Sequence, residues 1–211
     1  MRIGVEELQR QGGSGESHPN WNILGCSLSY YLDGDMLIDS VYRNTFPAWG
    51  SQTYNTQQDI VENANSHLIF GHVRRATCVP NIANPHPFIF HTPNADYAFI
   101  HNGGVDTTSF LNKINTLDPN WLIDHPITEY DGETVDSEYL FSWVMLNIHL
   151  NDYNIFEGLI DAIQCMATLD QEDRTFILTD GIDLYCYKNS YDQYNDHNLY
   201  YNYRSSVLPP P

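Results

Sequence analysis

The chain has 211 residues, a length typical of one domain, and its hydrophobic fraction of 42% is enough to form a buried core, which excludes a disordered chain. Nine Lys and Arg residues stand against 27 Asp and Glu, and the resulting net charge of −18 repels phosphate groups, so nucleic acids and anionic membranes are poor partners. No apolar run reaches the roughly 20 residues of a membrane span, and residues 1–11 lack the apolar region of a signal peptide.

The first half of the chain is predicted to be mainly β-structure. Residues 1–11 carry Val5 and Leu8 at helical spacing and predict a short helix. Residues 23–43 predict two strands joined by a turn at Asp33-Gly34. The other predicted elements of this half are a helix over 57–65 and strands over 67–73 and 97–101.

Two amphipathic helices are predicted over 136–150 and 154–169. The first begins with Asp136 or Ser137 as its N-cap, and the second has an apolar face that includes Phe156. The apolar face predicted for the first consists of Leu140, Phe141, Val144 and Ile148. Aromatic-rich strands follow within 174–204. Helices between two groups of strands indicate an α+β chain in which a helix pair packs on an antiparallel sheet.

Three short segments contain residues suited to binding or catalysis. GHVRRAT (71–77) ends an apolar strand with two arginines, which either capture a carboxylate or neutralise an acidic surface. HNGG (101–104) either directs a side-chain amide and a backbone N–H at one point, as an oxyanion hole requires, or forms a hairpin turn. The aspartate of VDSE (135–138) either caps a helix or holds an ammonium group.

The order of these segments resembles one known domain. GHVRRAT, NPHPF (84–88), YAFIHNG (97–103) and VDSEYLF (135–141) together resemble the class II glutamine amidotransferases, N-terminal-nucleophile amidases that cleave the side-chain amide of glutamine. The resemblance extends over about residues 5–208 and points to the stand-alone amidotransferases and γ-glutamyl hydrolases. It implies one domain over residues 1–211, with stacked antiparallel sheets between helical layers and no metal or organic cofactor.

The resemblance also implies roles for individual residues. Arg74 matches the arginine that pairs with the substrate α-carboxylate, and Thr77 lines the same pocket. Asn102 and Gly103 match the oxyanion-hole pair, and Asp136 matches the aspartate that holds the α-ammonium. These roles agree with the chemistry, because a zwitterion needs one fixed cation and one fixed anion.

His86, in the HPF segment, is expected to shape the pocket wall. A metal site is the alternative use of the nine histidines, but their gaps are irregular and no HExxH or paired Cys/His spacing occurs. The sequence therefore predicts turn or core histidines and no metal.

The four cysteines show no paired spacing, which indicates reduced thiols and a cytoplasmic protein. Cys26 is expected to be a buried thiol in a strand, and Cys165 and Cys186 to be packing residues. Cys78 follows Thr77 but is internal, so it lacks the α-amino group that serves as base in the family. None of the four is expected to be reactive.

The family nucleophile is a cysteine at the start of the mature chain, whereas residues 1 and 2 are Met and Arg. One explanation is a chain that lacks its first strand and its C-terminal end. The other is a homologue without catalytic activity that acts as an amino-acid-binding or interaction module. Residues 20–22, Asn-Trp-Asn, stand where relatives have Asp-Gly-Trp-Gly, and the loss of both glycines favours the second explanation.

The expected partner is a small molecule, glutamine or a γ-glutamyl amide. No synthetase domain accompanies the predicted amidase domain, so an ammonia acceptor would have to be a separate synthetase partner. A homodimer is the other assembly considered.

Overall fold

The computed structural model describes residues 23–32, 35–45, 48, 51–64, 66–75, 84, 86–130, 133–166 and 174–189. The strands are β1 (Ile23–Leu32), β2 (Ile38–Asn44), β3 (Ser66–Arg75), β4 (Phe88–His91), β5 (Asp96–Gly103), β6 (Glu129–Tyr130), β7 (Glu133–Thr134), β8 (Arg174–Thr179) and β9 (Leu184–Asn189). The helices are α1 (Gln52–Asn63), α2 (Thr107–Leu117), α3 (Trp121–Asp124), α4 (Asp136–Leu150) and α5 (Ile155–Met166). Since the described strands pair in antiparallel fashion, the α+β class predicted from the sequence is confirmed.

The first sheet has the strand order β2-β1-β3, with β1 in the centre. Residues 25–31 of β1 are all buried, as expected of a strand that is covered on both faces. Cys26 and Leu28 share one buried cluster with Ala48 and with Tyr54 of α1. Helix α1 is started by Ser51, whose Oγ accepts a hydrogen bond from Tyr54 N at 3.2 Å. This sheet therefore carries a helix on one of its faces.

The second sheet has the order β4-β5-β8-β9 and carries the largest core cluster on one face. Phe99 of β5 lies 5.0 Å from the ring of Phe141 in α4 and 5.1 Å from Phe176 of β8, between ring centroids. Residues 140–148 of α4 are all buried, so this helix is covered on nearly every side. The predicted helix pair on an antiparallel sheet is thus observed.

The two sheets share a buried cluster that includes Tyr31, Phe70 and Ala98. Asp96 connects them by hydrogen bonds as well: its backbone oxygen accepts from Tyr31 Oη at 2.7 Å, and its carboxylate accepts from Ile38 N at 2.9 Å. These bonds fix the start of β5 against the β1–β2 hairpin. The position of β5 relative to the first sheet is therefore set at one end by Asp96.

Most of the predicted elements occur in the structure, with shifted boundaries. The two paired strands predicted within 23–43 are confirmed, while the turn predicted at Asp33-Gly34 lies outside the described residues. The helix predicted over 57–65 begins earlier, at Gln52. Helix α2 was not predicted from the sequence, because the threonines and the serine of its first turn favour strand or turn. The signal that marks its start is Asp106, whose carboxylate accepts from Thr108 N at 3.0 Å.

The apolar face predicted for the second long helix was partly wrong. Phe156 is 62% exposed, whereas Gly158 and Ala162 are buried against the neighbouring helix. Small residues allow two helices to approach closely but contribute little to a hydrophobicity pattern. The face of α5 that packs on α4 therefore could not be recognised from the hydrophobicity pattern.

Two predicted elements, the helix over 1–11 and the strand over 198–204, lie outside the described residues. Within the described part of the chain, no helix combines the length and the apolar character needed to cross a membrane.

We expect Gly158→Ala to lower the free energy of unfolding by about 1–3 kcal/mol, because overpacking a helix contact forces the backbone apart. A Cβ at Gly158 would lie 2.5 Å from Ile148 Cα and 2.7 Å from Ile148 N. Urea unfolding measures the change. Glu157→Ala, at an exposed position in the same turn, is the control and should remain within about 0.5 kcal/mol of the wild type. Equal stability of the two variants would contradict the close α4–α5 contact.

Candidate functional site

The candidate site begins where β5 ends. Strand β5 is buried through His101, while Asn102 and Gly103 at its end are exposed. Gly103 has φ 138°, a conformation that L-residues with a Cβ rarely adopt, so glycine is required at this turn. The chain then enters α2 instead of a partner strand, which excludes the hairpin-turn interpretation of HNGG. The strand end therefore presents an amide side chain and a glycine backbone to solvent.

Asp136, the first residue of α4, lies beside this turn. Its Oδ2 accepts a hydrogen bond from Val105 N at 3.2 Å and lies 3.9 Å from the position that a Cβ on Gly104 would occupy. Its Oδ1 accepts from Ser137 N at 2.8 Å. A carboxylate is also stabilised by the N-terminal end of a helix. The N-cap is Val135 and not Asp136 or Ser137 as predicted, because the Asp136 carboxylate is used to connect the helix start to the strand end.

A second contact joins the same two elements from inside the core. His101 Nδ1 lies 2.9 Å from Ser137 Oγ, and both side chains are buried. These residues flank the predicted site residues Asn102 and Asp136 directly in sequence. The sequence analysis did not assign them a role in the site, and their adjacency to the two motifs is the signal that could have found them.

His86 is buried between two rings. Its Nδ1 lies 3.1 Å from His72 Nε2, and its ring centroid is 4.7 Å from that of Phe88. The peptide bond between His86 and Pro87 is cis, and the His86 backbone oxygen accepts a hydrogen bond from Ser27 Oγ. His86 is thus a packed residue between the end of β3 and the start of β4, and its role as a pocket wall stays a prediction.

Arg74 and Asp136, the charged pair predicted to hold the two ends of an amino acid, are called the clamp. Of Arg74, the structure describes the backbone. Arg74 lies in the last two residues of β3, a strand that pairs with β1 through Val73 opposite Cys26 and Arg75 opposite Ile23. Thr77 lies outside the described residues. The structure therefore brings together Asn102, Gly103 and Asp136, while the contacts of Arg74 and Thr77 stay predictions.

The arrangement at the strand end suits a substrate with a positive and a polar end. Asp136 Oδ1 accepts from both the N and the Oγ of Ser137, whereas Oδ2 accepts from Val105 N and has a further lone pair that suits an ammonium donor. Asn102 and Gly103, both exposed, precede Val105 by three and two residues in the chain. In the part of the chain that the structure describes, no group of three or more His, Cys, Asp or Glu residues is placed to hold a metal ion.

The cysteine predictions are partly corrected. Cys26 is fully buried as expected, and burial raises the pKa of its thiol to about 11. Cys165 and Cys186 are exposed, so their assignment as packing residues was wrong. The reason is that each lies on the outward face of its element, which a short apolar neighbourhood in the sequence does not reveal. Cys78 lies outside the described residues.

Substituting the two neighbouring glycines should separate backbone strain from lost space. Gly103→Ala places a Cβ at φ 138° and is expected to destabilise the fold by about 1–3 kcal/mol. Gly104→Ala should fold like the wild type, since its Cβ would make only an ordinary contact with Asp136. Urea unfolding measures both effects. A Gly104→Ala variant that loses as much stability as Gly103→Ala would contradict the assigned turn.

Native alkylation should distinguish the buried thiol from the exposed ones. With a pKa of about 11, Cys26 holds only about 0.1% thiolate at pH 8, and it is also fully buried. We expect iodoacetamide at pH 8 to label Cys165 and Cys186 in the folded protein and to label Cys26 only in urea. Peptide mass mapping gives the labelling rates, and native labelling of Cys26 at the rate of Cys165 would contradict its burial.

Comparison with known proteins identifies the family of the chain. The profile of the family described as "Glutamine amidotransferases class-II" matches residues 3–206, which is nearly the whole chain. No curated protein matches the chain at a significant level. The matched region contains the described corner of Asn102, Gly103 and Asp136 as well as Arg74, Thr77 and His86. The chain therefore belongs to the class II glutamine amidotransferases.

Proposed function

We propose that this chain binds glutamine or a γ-glutamyl amide and, where a cysteine is its first residue, hydrolyses the side-chain amide. Family membership supports this proposal. The observation that carries it is the hydrogen bond from Val105 N to Asp136 Oδ2, because it holds a carboxylate beside the turn that contains Asn102 and Gly103. A carboxylate beside a turn that can donate to an amide oxygen matches the ammonium and the amide of glutamine.

Recognition of the amino-acid end uses opposite charges. Asp136 receives the α-ammonium group, and Arg74 receives the α-carboxylate through its guanidinium fork. The net charge of −18 repels the carboxylate of a ligand unless a cation is close to it. Arg74 therefore also determines that an amino acid is retained and not a simple amine. Thr77 and His86 are proposed to line the same pocket.

Hydrolysis follows from where negative charge develops. Attack of a cysteine thiolate on the amide carbonyl forms a tetrahedral oxyanion, and the Asn102 side-chain N–H and the Gly103 backbone N–H would donate to it. Ammonia or an amine then leaves, and water releases glutamate from the thioester. The glycine at φ 138° orients its N–H without a side chain in the way of the substrate. Transfer of the released ammonia would need a synthetase partner.

Binding without hydrolysis is the second candidate function. It is favoured by residues 20–22, Asn-Trp-Asn, where the family resemblance leads to the expectation of two glycines. Such a protein would keep the clamp of Arg74 and Asp136 and use the amino acid as a ligand.

The clamp is tested by removing one charge at a time from the protein and from the ligand. Arg74→Ala and Asp136→Asn should each weaken L-glutamine binding by roughly 10-fold to 100-fold, the value of a charge-assisted hydrogen bond. Glutaramic acid lacks the ammonium group, and 4-aminobutanamide lacks the carboxylate. Asp136→Asn leaves one oxygen for the two backbone N–H groups that the carboxylate accepts, so the ligands are compared with each other: this variant should weaken L-glutamine binding more than glutaramic acid binding, and Arg74→Ala should weaken L-glutamine binding more than 4-aminobutanamide binding.

The chain offers matched controls for both substitutions. Arg75→Ala removes the neighbouring arginine, and Asp106→Asn removes an exposed aspartate close to the same turn. Both should keep the wild-type affinity measured by calorimetric titration. If Arg75→Ala weakens binding as much as Arg74→Ala does, the clamp is not specific and the assignment is wrong.

Hydrolysis and binding are separated by a measurement on protein from its own source. Intact mass and N-terminal sequencing identify the first residue, and an assay of glutamate release from L-glutamine follows. A first-residue cysteine with glutamate release supports the amidase. A first residue other than cysteine, with glutamine bound and no glutamate formed, supports the binding protein.

A further inference from the structure

A cavity lies between β4, the segment before β6 and helix α4, and we refer to it as the α4–β4 cavity. Its volume is about 190 Å³, and six of its lining side chains are apolar: Ile89, Phe90, Pro126, Ile127, Phe141 and Met145. Glu138 supplies a carboxylate to the same lining. The exposure of Pro126 and of His91, which also lines it, means that the cavity reaches the protein surface.

The α4–β4 cavity is separate from the amide site. None of Arg74, Thr77, His86, Asn102, Gly103 or Asp136 lines it. Glu138 is two residues beyond Asp136 on α4, and side chains two positions apart point in directions about 200° apart around a helix. The cavity residues of α4 follow at helical spacing, with Phe141 and Met145 on the side of Glu138. Whatever binds there does not depend on the proposed amide chemistry.

The two oxygens of the Glu138 carboxylate differ in their hydrogen bonding. Its Oε1 accepts two hydrogen bonds, from Thr128 N at 3.1 Å and from Thr128 Oγ1 at 2.8 Å. Its Oε2 is buried and has no hydrogen-bond partner among the described residues. Arg43 is close enough to influence Glu138 electrostatically, but its Nη2 donates to the Pro87 backbone oxygen at 2.5 Å. A buried acceptor without a donor is unfavourable, and a ligand N–H would remove that penalty.

Burial raises the pKa of Glu138, while the hydrogen bonds from Thr128 and the charge of Arg43 lower it. A positive donor on Oε2 would favour the ionised carboxylate further. Two other titratable side chains line the cavity: His91, whose Nδ1 lies 2.6 Å from Asp96 Oδ1, and His125, whose ring packs on Phe90 and Trp121.

The dimensions and walls define the ligand. A cavity of about 150 Å³ accommodates a benzene ring, so the α4–β4 cavity has room for a ring or a short branched chain with one polar group. Phe90 stacks on Trp121 and Phe141 stacks on Phe99, which holds both aromatic walls in place. Aromatic faces and a carboxylate both attract an ammonium group, and the net charge of −18 raises the local concentration of cations.

We propose that the α4–β4 cavity binds a small organic ammonium ion with a compact apolar body, whose N–H donates to Glu138 Oε2. The apolar body lies against Phe90, Ile127, Phe141 and Met145. Recognition depends on the charge of the ligand and on its size, not on an α-carboxylate.

The probes are 2-phenylethylammonium and 3-methylbutylammonium, each compared with its neutral alcohol of the same shape. By calorimetric titration at pH 8, each ammonium ion should bind at least about tenfold more tightly than its alcohol, because only the ammonium adds the attraction of opposite charges to its hydrogen bond with the carboxylate. Glu138→Gln should abolish this preference, since the amide keeps an acceptor for Thr128 but carries no charge. Glu129→Gln, at an exposed position of β6, removes the same charge from the surface and should leave the preference unchanged.

A cavity-filling variant keeps the test decisive. Ile127→Trp should occupy the cavity and abolish binding of both ammonium ions, while its circular dichroism stays that of the wild type. The proposal is wrong if neither ammonium ion binds the wild-type protein at about 10 mM, if ammonium and alcohol bind equally, or if Ile127→Trp retains binding. Should Glu138→Gln fail to fold, the Ile127→Trp result alone supports or overturns the proposal.

Discussion

The burial of helix α4 on nearly all sides is the constraint on which the rest of the structure depends. Residues 140–148 are packed against the second sheet, α2 and α5, so the helix cannot rotate or slide without breaking the main core cluster. Its first residue, Asp136, is thereby held at a fixed place beside the end of β5. The candidate site is thus positioned by apolar packing, and the hydrogen bonds of Asp136 and Ser137 complete the alignment.

The same helix carries two carboxylates with different surroundings. Asp136 is bonded to the backbone of the turn after β5, and Glu138 is bonded to Thr128 and lines the α4–β4 cavity. Because they point to different sides of the helix, each can take a separate cationic group. In the proposed function, Asp136 receives the ammonium group of an amino acid whose carboxylate is bound by Arg74. Glu138, in contrast, lies among apolar side chains. Selectivity between the two would come from these neighbours and not from the carboxylates themselves.

Part of the fold and of the site could be predicted because its signals are local. Two strand-like segments around the Asp33-Gly34 turn signal predicted the strands β1 and β2, the segment YAFIH predicted β5, and helical periodicity predicted α4 and α5. The pair Asn102-Gly103 and the aspartate at position 136 were recognisable from short motifs and their order. Helix α2 was missed because its residue types have weak helical propensity and its stability comes from packing of Phe110 and Ile114 into the core. The buried face of α5 was misassigned because Gly158 and Ala162 allow close packing of the two helices but add little to the hydrophobicity pattern.

By itself, the sequence determined the α+β class, the identity of the charged and amide side chains available for binding, and the family to which the chain belongs. These properties follow from composition, periodicity and motif order, which are carried by neighbouring residues. Only the tertiary structure decided that Val105 N–H binds Asp136, that His101 meets Ser137, and that Glu138 reaches Thr128 beside an apolar cavity. Each of these contacts joins residues ten or more positions apart, and their distances depend on how the sheets and helices pack, which no local pattern encodes.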